Sequence, residues 1–324
     1  MQDVLHIFIC LLIMRNSNRP KIEYRYYQLP QDCPVLALLG EKWIRQYGED
    51  KPIEYLHFHN HFEIGFCHWG EGSLALNDEI LPYYSETFSL IPRKFPHTTN
   101  NTGYGLSYWE YLYIDVDKFL SETYMTNPIV AEKMINKINK KAYFLSAEDQ
   151  PEIATLIKQA LEIMRNKKDF YQEEIKGILL ALFIQIIRLN TSEEENHLQL
   201  SEIVPISPAL DYVKDHFDTS ITIGDLAEKC GLSETHFRRI FSQCMGKSPV
   251  EYINWIRIKT ACNLLKNTSA SIGFIAEKVG FSTPSTFNRN FRQMLKVSPR
   301  EWRKRPEHYE RVLLNYSVIT HEGW

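Results

Sequence analysis

The chain has 324 residues, 44% of them apolar, which is enough for about two ordinary domains with buried cores. Its net charge of −3 conceals a strong division: residues 1–204 carry 20 Lys and Arg against 28 Asp and Glu, residues 205–305 carry 16 against 9, and residues 306–324 carry 1 against 3. The basic stretch alone suits a polyanion such as DNA, while the six cysteines (Cys10, Cys33, Cys67, Cys230, Cys244, Cys262) lack any CxxC spacing, which speaks against a zinc site or a disulfide framework and fits a reducing cytoplasm.

Taken in chain order, residues 6–14 (HIFICLLIM) are apolar but too few to cross a bilayer. An Asp rather than a basic residue precedes them and no small-residue cleavage site follows, so neither a signal peptide nor a membrane contact is expected. Met14, which opens the polar MRNSNRPKIEY, is expected to be the translational start, leaving residues 1–20 as an extension without an assigned role.

From about residue 54 the sequence YLHFHNHFEIGFCHWGEGSLALNDEILPYYSETFSLIPRKFPH alternates in short runs broken by Gly-Glu-Gly and Asn-Asp. That pattern predicts a hairpin-rich antiparallel barrel or sandwich. His57, His59, His61 and Glu63 share one parity, so a continuous strand would send all four to one face, looking either into a cavity or out at water. Nearby aromatics, including Trp69, Tyr83, Tyr84, Tyr108, Trp109 and Tyr111, are able to stack on a flat effector or simply to fill the core. Helical spacing of apolar residues then predicts helices over 129–138, 152–164 and 172–189, the last apolar on more than one face and therefore in want of a partner. The polar, acidic TSEEENHLQLSE reads as a linker.

Beyond the linker one unit occurs twice. IGDLAEKCGLS at 223–233 recurs as IGFIAEKVGFS at 272–282, identical at seven of eleven positions. Each copy outlines a helix-turn-helix: a short helix bearing Ala227 or Ala276, a turn glycine (Gly231, Gly280), a capping serine (Ser233, Ser282) and a second helix. Phe237, Ile240 and Phe241 in the first copy, and Phe287 and Phe291 in the second, fall on the buried face. Thr235, Arg238, Arg239 and Ser242 fall on the outer stripe of the first, and Ser285, Asn288, Arg289 and Arg292 on that of the second. Arg bridges guanine O6 and N7, Asn bridges adenine N6 and N7, and Ser or Thr takes a base edge or a phosphate, so these faces suit a major groove. Their plain alternative is a solvated helix surface.

The repeat, the Gly-x-Ser turn in each copy and the two Ser-Pro pairs (Ser248-Pro249 and Ser298-Pro299) before Glu251-Tyr252 and Glu301-Trp302 make region 206–305 resemble the paired helix-turn-helix domain of the AraC/XylS family of bacterial transcription regulators. The resemblance implies a connecting helix near 249–266 that holds the two units about one DNA turn apart. It places the base-facing positions on Thr235, Arg238 and Arg239, and on Ser285, Asn288 and Arg289. One departure stands out: Gly246, after the first recognition helix, is answered by Lys296.

The β region resembles the cupin fold that serves as sensor in many members of this family. His57-x-His59-x3-Glu63-x6-Gly70 matches the first cupin motif, and Pro92 with His97-x3-Asn101 a poorer second, with Glu86 and Lys94 where glycines are usual. The resemblance implies an organic effector held near His57, His59, Glu63, His97, Trp69 and Trp109; in metal-bearing cupins the first four would be ligands to a divalent transition metal. It also implies that the helices after the barrel form a dimer contact, unless they only cover the barrel.

The expected architecture is therefore a multidomain α+β chain. A cupin-like effector-binding barrel spans 21–125, a helical dimerisation segment 126–190, a linker 191–204 and an AraC-type DNA-binding domain 205–306, with helix-turn-helix units at about 223–244 and 272–295, and a tail over 307–324. The function read from it is a cytoplasmic, homodimeric transcription regulator that binds double-stranded DNA under control of a small-molecule effector, a sugar among the candidates. No nucleophile–base pair or phosphate-cradling glycine loop marks an enzyme, and no cofactor is expected; a metal-binding cupin sensor or enzyme fused to the DNA-binding domain is the alternative, as is a barrel that only dimerises the chain.

Overall fold

The structure, a computed structural model, describes residues 21–30, 33–48, 55–102, 105–190 and 204–306. The expected start at Met14, the linker residues 191–203 and the tail from 307 lie outside them.

The alternating region forms two facing sheets. One contains β1 (Lys21–Arg25), β4 (Tyr55–His59), β9 (His97–Asn101), β6 (Gly72–Leu76) and β7 (Glu79–Tyr83), in that order. The other runs β11 (Tyr143–Ser146), β8 (Thr87–Ile91), β5 (Phe62–Trp69), β10 (Ser107–Ile114), β2 (Val35–Leu38), with β3 (Ile44–Arg45) also on β10. Pairing is antiparallel except that β1 lies parallel to β4. The Asn-Asp signal becomes the tight turn joining β6 to β7, where Leu76 pairs with Glu79 and Asn77 takes φ 53°.

The run of same-parity histidines does not lie on one strand. β4 ends at His59 and β5 starts at Phe62, so Asn60 and His61 form the turn between them. This corrects the single-face reading: His57, His59 and Glu63 still converge, while His61, also buried, sets its Nε2 against the Tyr27 carbonyl at 2.9 Å.

Helices α1 (Val116–Thr123), α2 (Pro128–Ile138), α3 (Pro151–Asn166) and α4 (Tyr171–Leu189) match the predicted helical stretches within two residues where these were predicted. They cover the outer face of the six-stranded sheet: Phe62, Ile64, Phe66, Leu90, Leu112 and Ile114 from the strands share a core with Ile157, Leu161, Leu179 and Phe183. Each such fully buried side chain contributes roughly 1.5–3 kcal/mol. The covering role is thus observed, and the opposite side of α4 still leaves Ile184 exposed.

The C-terminal domain is all-helical: α5 (Ser207–His216), α6 (Ile223–Lys229), α7 (Glu234–Met245), α8 (Pro249–Asn267), α9 (Ile272–Lys278), α10 (Pro284–Leu295) and α11 (Pro299–Lys304). The caps explain the boundaries. Ser233 Oγ accepts from the His236 amide, and Ser248 and Ser298 form reciprocal capping boxes with Glu251 and Glu301. The second copy departs from its expected cap: Thr283 rather than Ser282 caps α10, because Pro284 occupies the first helical position and moves the helix start one residue on. Lys296 ends α10 at φ 61°, the left-handed conformation that Gly246 adopts at φ 63° in the first copy, so the missing glycine is met by a strained lysine.

Gly280 has the stronger requirement of the two turn glycines. Its φ is +87°, and a Cβ there would sit 2.7 Å from the Phe217 carbonyl oxygen and 2.9 Å from Asp218 backbone atoms. Gly280→Ala is expected to destabilise the second unit by about 2 kcal/mol or more, since both left-handed strain and a backbone shift are imposed. Gly231→Ala, with φ +64° but no atom within 4 Å of its Cβ, should cost less. Thermal unfolding of the two variants side by side checks the order.

The two domains touch. Tyr24 and Tyr26 at the β1 edge meet Tyr252 and Trp255 of α8 edge-on, at centroid separations of 6.5 and 4.6 Å. Arg93 bonds Asp211 of α5 at 2.9 Å, Lys94 pairs with the same carboxylate, and Lys214 reaches Asp117 at 2.8 Å.

Candidate DNA interface and sensor site

The outer stripes of α7 and α10 are where the sequence placed them. Thr235, Arg238, Arg239 and Ser242 are all exposed on α7, opposite the fully buried Phe237 and Phe241. On α10, Ser285, Arg289 and Arg292 are exposed and Asn288 is half-buried, opposite Phe287 and Phe291. The side chains hold one another loosely: Arg238 lies 3.4 Å from Glu234, Arg239 Nη1 donates to Gln243 at 3.1 Å, and Asn288 Nδ2 donates to the Pro284 carbonyl at 2.9 Å. Exposed contacts of this kind are worth a few tenths of a kcal/mol and are readily exchanged for base edges. Helix α8 joins the two units and buries Tyr252, Ile253, Trp255, Ile258, Cys262 and Leu265, which fixes their relative placement.

Inside the barrel, His57, His59, Glu63 and His97 are all buried and close together. His57 and His97 are register partners on β4 and β9, with ring centroids 4.2 Å apart. Donor atoms of His57, Glu63 and His97 lie within 4.8 Å of one another, whereas His59 stands beside Glu63, its Nε2 2.9 Å from Oε2. His59 Nδ1 meets the His61 carbonyl at 2.8 Å and His97 Nδ1 the Phe95 carbonyl at 2.9 Å. Carbonyls only accept, so each Nδ1 carries a proton, and the neutral form of each ring presents a lone pair at Nε2. Both lone pairs face Glu63 Oε2, at 2.9 and 3.4 Å, and none of the three atoms finds a hydrogen-bond donor among the described residues. Burial resists ionisation of Glu63, but the neighbouring His97 and His59 rings outweigh it and hold its carboxyl below the ordinary range. Burial lowers His59 and His57, disfavouring their imidazolium forms. A carboxylate and two imidazole lone pairs facing one another in a dry site fit a cation.

Residues 44–183 match the AraC-like ligand binding domain and residues 226–305 match a helix-turn-helix domain family. The chain belongs to the AraC/XylS family. It is 27% identical to the HTH-type transcriptional activator RhaR of Mannheimia succiniciproducens over 295 residues, 88% of this chain and 97% of that protein. Identity to the Msm operon regulatory protein of Streptococcus mutans is 23%, over 76% of this chain and 84% of the relative. The lactose operon transcription activator of Staphylococcus xylosus is 33% identical over 98 residues, only 30% of this chain and 35% of that protein. The protein is accordingly a transcription regulator with an AraC-like ligand-binding domain and a DNA-binding domain.

Within this AraC/XylS-family barrel the two tryptophans part company. Trp109 is fully buried, beside Tyr83 and Tyr111 at centroid distances of 5.0 and 6.0 Å. Trp69 is 42% exposed, which corrects its placement in the effector site. The register of β5 against β10 slips between Cys67 and Trp69, leaving His68 as an extra residue, so the alternation that would carry Trp69 inward is lost. Glu86 and Lys94, standing where cupin glycines are usual, take φ 63° and 65°, the conformation those glycines supply. The contribution of Lys94 and Asp211 to the domain contact has no local signal in the sequence, because 117 positions separate them.

Proposed function

We propose that this protein is a homodimeric, cytoplasmic transcription regulator that reads two successive major-groove segments per chain and is switched by a small-molecule effector bound in its N-terminal barrel. The observation that carries the DNA-reading part is the pair of exposed polar stripes on α7 and α10, each backed by a buried phenylalanine pair and held in place by α8. Support for dimerisation is the exposed Ile184 on the outer side of α4. The matched lactose operon activator makes a sugar the first effector class to test, and the aromatic cluster around Trp109 offers ring faces for it. Selection of bound duplexes from a randomised pool, at two salt concentrations, tests the reading: enrichment of two short elements about one helical turn apart, with steep salt dependence, is expected. Recovery of unrelated sequences would refute it.

The facing lone pairs at Glu63 favour a second reading, in which the sensor holds a divalent transition metal through His57, Glu63 and His97, with His59 orienting the carboxylate. Such an ion would supply positive charge to the buried carboxylate and an open coordination position to a ligand. Cobalt(II) added to metal-stripped protein is expected to bind one per barrel with a visible absorption band and to raise the melting temperature by mass action. His97→Ala should abolish both changes; an unchanged melting curve in the native protein would rule the ion out.

A further inference from the structure

A cavity of about 1020 Å³ lies between the domains rather than inside the barrel. Tyr26, His61 and Lys94 line it from the barrel, Asp211 and Lys214 from α5, and Lys259 from α8. Among the described residues, seven Lys and Arg side chains border it against three Asp and Glu, so their field favours an anion. Most of those cations already have carboxylate partners. Arg93 and Lys94 share Asp211, Lys214 reaches Asp117, Lys118 lies 3.8 Å from Glu122, and Lys176 bonds Glu173 at 2.8 Å.

Lys259 differs. Its ammonium stands over the Tyr26 ring at 4.3 Å and near the Trp255 ring at 5.8 Å, with no carboxylate among its partners in the described residues. Burial alone pushes its pKa down to about 8, the mark of a cation without a counter-ion. Phe119, Phe217 and Ile256 add apolar wall to the same cavity.

We propose that this cleft is a binding site for a small organic anion, a carboxylate or phosphate ester on an apolar or ring body, with Lys259 as its counter-ion. The ligand touches β1-edge residues on one side and α8 on the other, so it stabilises the arrangement of the domains in which both walls are present and biases how α7 and α10 meet DNA. This inference builds on the regulator reading and gives it an effector site that spans both domains.

Calorimetric titration of the full chain tests it with cyclohexanecarboxylate and glucose 6-phosphate, beside their neutral counterparts cyclohexylmethanol and glucose. At least one anion is expected to bind once per chain at millimolar concentration while its neutral counterpart does not, and which anion binds decides between carboxylate and phosphate ester. Lys259→Met, which keeps the stem over Tyr26 and Trp255, should weaken that binding by about tenfold or more, and Lys259→Arg should retain it. Lys259→Gln serves if the methionine variant does not fold. Binding of neither anion, equal binding of the neutral compounds, or undiminished binding by the charge-removed variant would overturn the site. DNA selection on the same preparation separates the two readings: anion uptake without site-selective DNA binding sinks the regulator reading and keeps the cleft, whereas selective DNA binding without anion uptake sinks the cleft alone.

Discussion

Phe241→Ala is expected to cost about 3–5 kcal/mol of stability, the ordinary penalty for a fully buried phenylalanine whose surroundings cannot collapse. The ring is inaccessible to solvent and sits between Phe237 and Tyr252, at centroid distances of 5.4 and 5.6 Å. Tyr252 in turn meets Tyr24 of β1, so the cluster that holds the first recognition helix is continuous with the one that joins it to the barrel. Domains are stable by about 5–15 kcal/mol, so a loss of this size leaves the first helix-turn-helix marginal. DNA binding should fail with the fold rather than by loss of a contact. Phe241→Leu, which refills most of the volume, should lose only about 1–2 kcal/mol and keep DNA binding. Chemical denaturation of both variants measures the difference; equal stability of Phe241→Ala and the native chain would show that the ring packs loosely.

What the sequence disclosed follows from the range of the interactions involved. The helix-turn-helix units were legible because their determinants are local and occur twice: Gly231 and Gly280 in the left-handed turn, Ser233 at a cap, phenylalanines four residues apart. Even there a local competition decided one boundary, with Pro284 moving the cap from Ser282 to Thr283. In the barrel the convergence of His57, His59, Glu63 and His97 was legible from cupin-like spacing, but parity alone placed His61 with them because it assumes an unbroken strand. Trp69 was misplaced for a related reason, since one extra residue opposite β10 reverses the alternation beyond it. The interdomain contacts were not legible at all. Arg93 and Lys94 find Asp211 only where the two domains meet, and Lys259 acquires its nearer ring, Tyr26, from the β1 edge more than two hundred positions away.

The double variant Arg239→Ala/Arg289→Ala is expected to lose about 2–6 kcal/mol of specific DNA affinity, from about 1–3 kcal/mol per base-reading arginine acting at separate sites. Both side chains are exposed, and the only polar partner described for Arg239 is Gln243 on its own helix, at 3.1 Å. Surface substitutions of this kind change stability by about 0.5 kcal/mol or less, so the melting temperature should be nearly unchanged and the loss attributable to recognition. The single variants distinguish what each arginine touches. If Arg239 reads a base, Arg239→Ala relaxes preference at one or two positions of the element bound by α7 and leaves the α10 element intact; if it meets phosphate only, affinity falls evenly across sequences and the salt slope drops by about one. The same comparison applies to Arg289 and the second element. Base contacts at both positions require α7 and α10 to meet DNA together, and α8 holds the two units in one arrangement through Trp255, Ile258 and Leu265, all inaccessible or nearly so in the helix that spans them. A double variant that kept full site preference would therefore move the reading surface to other side chains of the same stripes, with Arg238 and Arg292 the exposed cations left to carry it.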